Sequence, residues 1–81
     1  MWFVYIVLCS DKSLYTGISN DVDKRFLDHQ LGKGGRYTRS HNVVKILYKE
    51  KFKTHPEALK REMEIKSWPR LKKIQFLKLE I

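Results

Sequence analysis

The sequence predicts a small α/β (α+β) domain in which a three-stranded sheet is flanked by three helices, in the order β-β-α-β-α-α. Two observations indicate this class. Three β-branched, apolar runs have strand character, and the segments between and after them show helical periodicity with cap residues. The chain has 81 residues, which is enough for one hydrophobic core. We therefore expect a single domain over residues 1–81.

The first two strands are predicted to form a hairpin. Residues 2–9 are apolar on both faces, as is typical of a central strand that is covered on both sides. Residues 10–13 have turn chemistry, and residues 14–18 are the returning strand, which we expect to end at Gly17. Tyr5 and Tyr15 then occupy corresponding positions on neighbouring strands. Taken alone, each tyrosine is more often an ordinary half-buried residue of a sheet.

The first helix is predicted to begin after a cap at Ser19, Asn20 or Asp21 and to continue to about residue 31. Arg25 and His29 are four residues apart, so they lie on one face of this helix. Such a pair can point along the sheet surface toward the tyrosines. The alternative is that Arg25 is a solvated helix residue and His29 a packing residue.

A loop over residues 32–41 combines three glycines with cations and an aromatic ring. Backbone N–H groups beside Lys33, Arg36 and Arg39 suit phosphate oxygens, and Tyr37 can stack on a base. We therefore predict that this loop binds nucleic acid. The alternative is a solvated connector.

The third strand is predicted over residues 43–50, and a second helix follows it to about residue 68. Thr54 and Glu57 have the spacing of a capping box, with Pro56 in the first turn. The inward face of this helix is expected to include Ala58, Leu59, Glu62, Met63 and either Ile65 or Lys66. A carboxylate on a core-facing stripe must be paired or bound to a metal, so Glu62 is the candidate metal ligand, with a structural salt bridge as the alternative.

Pro69 ends the second helix, and a final helix is predicted over residues 70–79. Its spacing places Leu71, Ile74 and Leu77 on one buried stripe. We expect this helix to cover the sheet as a structural element.

The charge of the chain favours a polyanionic partner. Seventeen Lys and Arg residues against nine Asp and Glu residues give a net charge of +8, which attracts nucleic acid. Membrane binding is less favoured because no segment pairs a basic face with a broad apolar one. Cys9 is the single cysteine and there is no signal peptide, so a reducing cytoplasmic setting is the expected one.

Two tyrosines, an arginine, a histidine and one carboxylate on a basic domain suit phosphodiester hydrolysis. This reaction needs a base, charge neutralisation at phosphorus and help for the leaving oxygen. A tyrosine acts as a base only where positive charge lowers its pKa, and a single carboxylate suits one Mg²⁺ ion that keeps its waters or takes phosphate oxygens.

The tripeptides Val4-Tyr5-Ile6 and Tyr15-Thr16-Gly17 resemble the two signature tripeptides of the GIY-YIG nuclease domain. Arg25, His29 and Glu62 follow in the order that this family shows. The resemblance covers essentially the whole chain and is strongest to the small stand-alone bacterial members. Thr16 replaces the isoleucine of the family, a change that we expect to affect packing more than chemistry.

The resemblance implies an endonuclease that holds one Mg²⁺ or Mn²⁺ ion on Glu62. It implies that Arg25 binds the scissile phosphate, that Tyr5 is the general base and that Tyr15 orients water or phosphate. His29 is the rival candidate for proton transfer. DNA is the expected substrate of a monomer or weak dimer, which a protein partner could direct to its target. Two other readings stay open: a nucleic-acid-binding module with little activity, and a basic domain that docks an acidic protein.

Overall fold

The computed structural model of the protein describes residues 1–32 and 42–81. Its strands pair in the antiparallel order β2-β1-β3. The described residues form three helices in the order β-β-α-β-α-α, which confirms the predicted class. The elements are β1 (Trp2–Cys9), β2 (Leu14–Ser19), α1 (Val22–Gln30), β3 (Val43–Phe52), α2 (His55–Lys66) and α3 (Arg70–Phe76).

Strand β1 is the centre of the sheet and separates two hydrophobic clusters. Val4 and Ile6 point to one face, where α2 contributes Ala58 and Ile65. The alternate positions of β1 point to the other face, where α1 contributes Val22. All of these residues are buried, so β1 is covered on both sides as the sequence predicts.

Side-chain caps begin the first two helices. Asp21 caps α1, because its Oδ1 accepts a hydrogen bond of 3.1 Å from the backbone N–H of Lys24. Thr54 caps α2 and accepts from the N–H of Glu57 at 3.4 Å, while its hydroxyl donates to Glu57 Oε1 at 2.8 Å. These contacts confirm the predicted cap positions.

The last helix is shorter than predicted. It ends at Phe76 rather than at residue 79, because Lys78 has a φ of 53° and turns the chain back. The N–H of Leu79 then donates to the carbonyl of Ile74 at 3.0 Å, and Leu79 becomes buried. The prediction that Leu71 is buried is wrong, since its exposed fraction is 64%.

Two further expectations about packing are wrong on α2, where Leu59 and Met63 are exposed by 39% and 64%. The inward face of α2 is formed by Ala58 and Ile65, each at 0% exposure. Among the described residues, no helix is both long enough and apolar enough to cross a lipid bilayer.

Candidate active site

Tyr5 is the centre of the candidate site, on the face of the sheet that α1 covers. Its partner across the strand pair is Gly17, whereas Tyr15 lies opposite Val7. The two tyrosines are therefore diagonal neighbours, and the expectation of corresponding positions is wrong by two residues. Because the shift is two residues and not one, both side chains still point to the same face.

Gly17 makes room for the ring of Tyr5. It lies inside β2 and not at its end, which corrects the predicted boundary of that strand. A Cβ atom at this position would lie 2.7 Å from Tyr5 Oη and 2.8 Å from Tyr5 Cζ. It would also lie 3.1 Å from Cε2 of Tyr15. The absence of a side chain at residue 17 thus fixes where both tyrosine rings can lie.

Helix α1 brings His29 to Tyr5. Val22 and Phe26 pack into the same hydrophobic cluster as Tyr5 and orient the helix. The side chain of His29 therefore points inward. Nε2 of His29 lies 2.9 Å from Tyr5 Oη, and both residues are only 1% exposed. The structure therefore joins these two candidates through a buried hydrogen bond.

The four candidates from the hairpin and α1 form one cluster. The ring of Tyr15 meets the ring of His29 edge to face, with centroids 5.3 Å apart, and its centroid is 6.4 Å from that of Tyr5. Arg25 is close enough for its charge and its hydrogen bonding to act on the Tyr5 hydroxyl. Tyr15 and Arg25 are partly exposed, so they form the outer part of the site.

Burial controls the protonation of Tyr5. It raises the pKa of the Tyr5 hydroxyl to about 12, and the nearby Tyr15 acts in the same direction. The guanidinium of Arg25 lowers this pKa, but not by enough to offset the burial. Tyr5 is therefore a neutral phenol at physiological pH in this structure.

His29 is held in its neutral form. Burial lowers the pKa of its imidazole from the ordinary value of 6.5, and the charge of Arg25 lowers it further. Asp28 has the smaller, opposite effect on this pKa. A neutral imidazole beside a neutral phenol can accept the phenol's proton, provided that Nε2 is the unprotonated ring nitrogen.

The buried His29 should make the fold sensitive to acid. As the pH falls from about 6.5, the unfolded chain binds a proton before the folded one does, so the free energy of unfolding decreases down to the lower pKa of folded His29. Urea unfolding between about pH 7 and pH 5 measures this slope. His29→Gln keeps a hydrogen-bond partner for Tyr5 and should remove the part of this slope that comes from His29. The part that comes from carboxylates is present in both proteins. Equal slopes in the two proteins would contradict the assignment.

Glu62 lies on α2, which covers the face of the sheet opposite to α1. Its side chain is only 13% exposed, and its Oε2 lies 3.4 Å from Nζ of Lys66, one helical turn later. The negative charge of Glu62 is the smallest of the effects that raise the pKa of Tyr5. The salt bridge expected as an alternative therefore exists.

The donor set around Glu62 fits a metal ion that takes only one ligand from the protein. Within residues 1–32 and 42–81 there is no group of three or more His, Cys, Asp or Glu side chains that could hold a metal. A single, mostly buried carboxylate fits Mg²⁺ or Mn²⁺, which retain waters and take phosphate oxygens from a substrate. It does not fit a closed structural zinc site.

The other predicted binding residues, Lys33, Arg36, Tyr37 and Arg39, lie outside the described residues. The structure places two further residues at the site. Lys66 pairs with the candidate metal ligand, a contact that the i, i+4 spacing alone could have indicated. Gly17, which the sequence places in the second tripeptide and at a strand end, faces Tyr5 across the strands, and no local signal in the sequence reveals this pairing.

Comparison with known proteins identifies the family of the chain. Residues 1–75 match the family described as the GIY-YIG catalytic domain. The chain is 47% identical over 75 residues to a UPF0213 protein of Staphylococcus saprophyticus, with 93% of this chain and 92% of the relative covered. It is 50% identical over 76 residues to a UPF0213 protein of Staphylococcus aureus, with 94% and 93% covered.

A solved structure shares the fold. The solution NMR structure of the UPF0213 protein BH0048 from Bacillus halodurans is similar to this chain with a TM-score of 0.61 and 39% identity. The similarity covers 96% of this chain and 84% of that one. Small bacterial proteins of nearly the same length therefore share both the sequence and the fold.

Proposed function

Because this chain belongs to the GIY-YIG family, a family of nucleases, we propose that it is a metal-dependent endonuclease that hydrolyses phosphodiester bonds in DNA. The observation that carries this proposal is the buried hydrogen bond of 2.9 Å between Tyr5 Oη and His29 Nε2, beside the guanidinium of Arg25. A phenol, a neutral imidazole and a cation in contact can move a proton and neutralise a phosphate in the same place.

Tyr5 acts as the general base in this proposal, and His29 makes that role feasible. With a pKa of about 12, the Tyr5 hydroxyl cannot be a phenolate in more than a trace of the molecules at neutral pH. Tyr5 must therefore give up its own proton as it takes one from water. His29 Nε2 receives that proton, and the hydroxide formed attacks phosphorus while the bond to the leaving oxygen breaks. Solvent returns a proton to the leaving oxygen.

Arg25 and Tyr15 supply the phosphate contacts. Both are partly exposed, whereas Tyr5 and His29 are buried, so a phosphate that approaches from solvent meets the outer pair first. The guanidinium of Arg25 donates to the non-bridging oxygens and stabilises their growing charge. The hydroxyl of Tyr15 orients the phosphate or the attacking water.

Glu62 would hold the metal ion, and a divalent ion bound there supplies charge neutralisation at the phosphate oxygens. Until then the ammonium group of Lys66, 3.4 Å from Oε2 of Glu62, orients the carboxylate. The net charge of +8 steers a polyanionic substrate to this small domain. We also propose that the loop residues Lys33, Arg36, Tyr37 and Arg39 bind the nucleic acid.

The setting that we propose is the cytoplasm, and the chain would act as a monomer or weak dimer that a protein partner could direct to its target. Cys9 is a buried free thiol, and burial raises its pKa, so it stays protonated and unreactive. A single inert thiol suits a reducing compartment.

The test is cleavage of labelled DNA and RNA duplexes, nicks, flaps and branches with and without Mg²⁺ or Mn²⁺. Glu62→Gln should lower cleavage by at least about a hundredfold, because it removes the anionic ligand and keeps the shape. Glu64→Gln is the matched control. It removes one negative charge from the same helix, where the Glu64 side chain is 50% exposed, and should leave cleavage unchanged. Cleavage that needs no divalent ion, or that survives in Glu62→Gln, would contradict the proposed metal site.

A nucleic-acid-binding module with little activity is the second candidate function. The observation that favours it is the 1% exposure of Tyr5, which keeps the proposed base away from bulk water. Under this alternative, DNA binding weakens steeply with salt while no substrate is cut at any metal concentration.

A further inference from the structure

The junction of α2 and α3 carries aromatic rings and cations that the proposed active site does not use. The rings of Trp68 and Phe76 meet edge to face with centroids 5.8 Å apart. Nζ of Lys72 lies 4.8 Å from the centroid of Trp68 and 5.1 Å from that of Phe76. We call Trp68, Lys72 and Phe76 the α3 surface.

Phe76 is held at this surface and is not buried in the core. Its exposed fraction is 67%, and neither hydrophobic cluster of the described residues includes it. Trp68 does pack against the core and provides a fixed wall for the phenyl ring. The Phe76 ring is thus held between Trp68 and Lys72 and still exposes most of its surface to solvent, as a stacking platform requires.

The charge of this region indicates the chemistry of its partner. Residues 65–79 include five Lys and Arg side chains and no Asp or Glu. A cationic surface with an exposed ring is complementary to a polyanion that carries flat aromatic groups, which describes a nucleic acid strand. A protein partner would need a strongly acidic surface to match it.

The chain connects the α3 surface to the candidate metal ligand. Lys66, whose Nζ lies 3.4 Å from Oε2 of Glu62, precedes Trp68 by two residues. The α3 surface therefore begins directly after the helix that carries Glu62.

We propose that the α3 surface binds unpaired nucleotides, with a base stacked on Phe76 and the adjoining phosphate on Lys72. This inference rests on the proposed function and names its substrate class: a nucleic acid with a single-stranded segment beside the bond that is cut. Bases inside a duplex are already stacked and paired, so they cannot reach the ring of Phe76. The α3 surface thereby distinguishes a strand with free bases from a plain duplex.

The experiment measures binding without any divalent ion, by fluorescence anisotropy. The probes are a labelled oligothymidylate, an abasic strand of the same length and a duplex of the same length. Phe76→Ala should weaken binding of the oligothymidylate by about five- to a hundredfold and leave the abasic strand within about twofold. Lys72→Gln should weaken binding of both strands and reduce the salt dependence by about one released ion.

Matched controls come from exposed residues outside the α3 surface. Val44→Ala removes an apolar side chain that is 51% exposed on β3, and Lys53→Gln removes an exposed cation after that strand. Both controls should leave the two strands within about twofold of wild type. Thermal unfolding of each variant checks that exposed substitutions have not altered the fold.

Three results would overturn the α3 surface as a nucleotide site. In the first, wild type binds no single strand. In the second, Phe76→Ala binds the oligothymidylate as tightly as wild type does. In the third, Phe76→Ala loses self-association or capture of another protein while its affinity for the strand is unchanged. The outcome is separate from that of the proposed nuclease. If wild type cuts no substrate but Phe76→Ala weakens oligothymidylate binding, the α3 surface is supported and the proposed nuclease activity is contradicted. If wild type is a nuclease and Phe76→Ala binds the oligothymidylate normally, only the α3 surface is contradicted.

Discussion

Tyr5→Phe is expected to lower metal-dependent cleavage by about 10²- to 10⁴-fold, the usual contribution of a general base. The substitution removes only the hydroxyl that contacts His29, and the ring of Tyr5 continues to fill its buried place in the sheet. Stability should fall by only about 1 kcal/mol, the typical value of one hydrogen bond. Cleavage rates of folded protein at saturating substrate, together with urea unfolding, measure the two effects separately.

Tyr48→Phe is the matched control for this prediction. Tyr48 is also a partly buried tyrosine of the sheet, and burial together with its hydrogen bond to Glu50 raises its pKa, but it packs against the opposite hydrophobic cluster. Removing its hydroxyl should leave cleavage unchanged. Tyr15→Phe should have a smaller effect than Tyr5→Phe, because Tyr15 orients and does not take the proton. The reverse ranking would show that Tyr15 is the base and that Tyr5 serves the fold.

Structural features that depend on residues close to each other along the chain could be predicted from the sequence. Asp21 and Thr54 were expected as helix caps because their side chains satisfy N–H groups only three residues away. The placement of Arg25 and His29 on one helical face follows from their spacing of four residues. The central position of β1 follows from its apolar character on both faces.

A lysine with positive φ stands at two places where the structure differs from the expectation. Lys12 has a φ of 72° in the hairpin turn, where its N–H donates to the carbonyl of Cys9 at 2.9 Å, and this turn accompanies a register two residues away from the expected one. Lys78 has a φ of 53° and ends α3 early. Glycine or asparagine normally marks such positions, so a lysine gives no warning in the sequence.

The burial of the site was equally hidden from the sequence, because it depends on contacts between distant elements. Tyr5 and His29 are 24 residues apart along the chain, and each is only 1% exposed because β1 packs against α1. Thr16 is a related case. It stands where the family has isoleucine, and among the described residues its buried Oγ1 has no hydrogen-bond partner. A buried hydroxyl without a partner is unfavourable.

Gly17→Ala is the substitution with the largest expected effect on the fold and the site together. The new Cβ atom would lie 2.7 Å from Oη and 2.8 Å from Cζ of Tyr5, closer than real Cβ atoms approach other heavy atoms. Tyr5 is 1% exposed and has no solvent to move into, so the strand or the ring must shift. We expect a loss of about 1–3 kcal/mol in the free energy of unfolding. The shift should also separate Tyr5 from His29, so cleavage by the remaining folded protein should be lost.

Gly32→Ala separates these two consequences of Gly17→Ala. Gly32 has a φ of 78°, and a Cβ atom there would meet nothing within 4 Å, so its cost is backbone strain of about 1–2 kcal/mol without any clash. Both variants should therefore lose stability in urea unfolding, but only Gly17→Ala should change the ring ¹⁵N chemical shifts of His29 and abolish cleavage below its melting temperature.

A double-mutant cycle tests whether the clash with Tyr5 is the cause. In the Gly17→Ala background, Tyr5→Phe should lower the free energy of unfolding by less than it does in wild type. Losing the hydroxyl removes the 2.7 Å contact with the new Cβ atom. Additive energies in this cycle would mean that residue 17 does not control the position of Tyr5. The diagonal arrangement of the two tyrosines around a glycine would then be a feature of the sheet alone and not of the site.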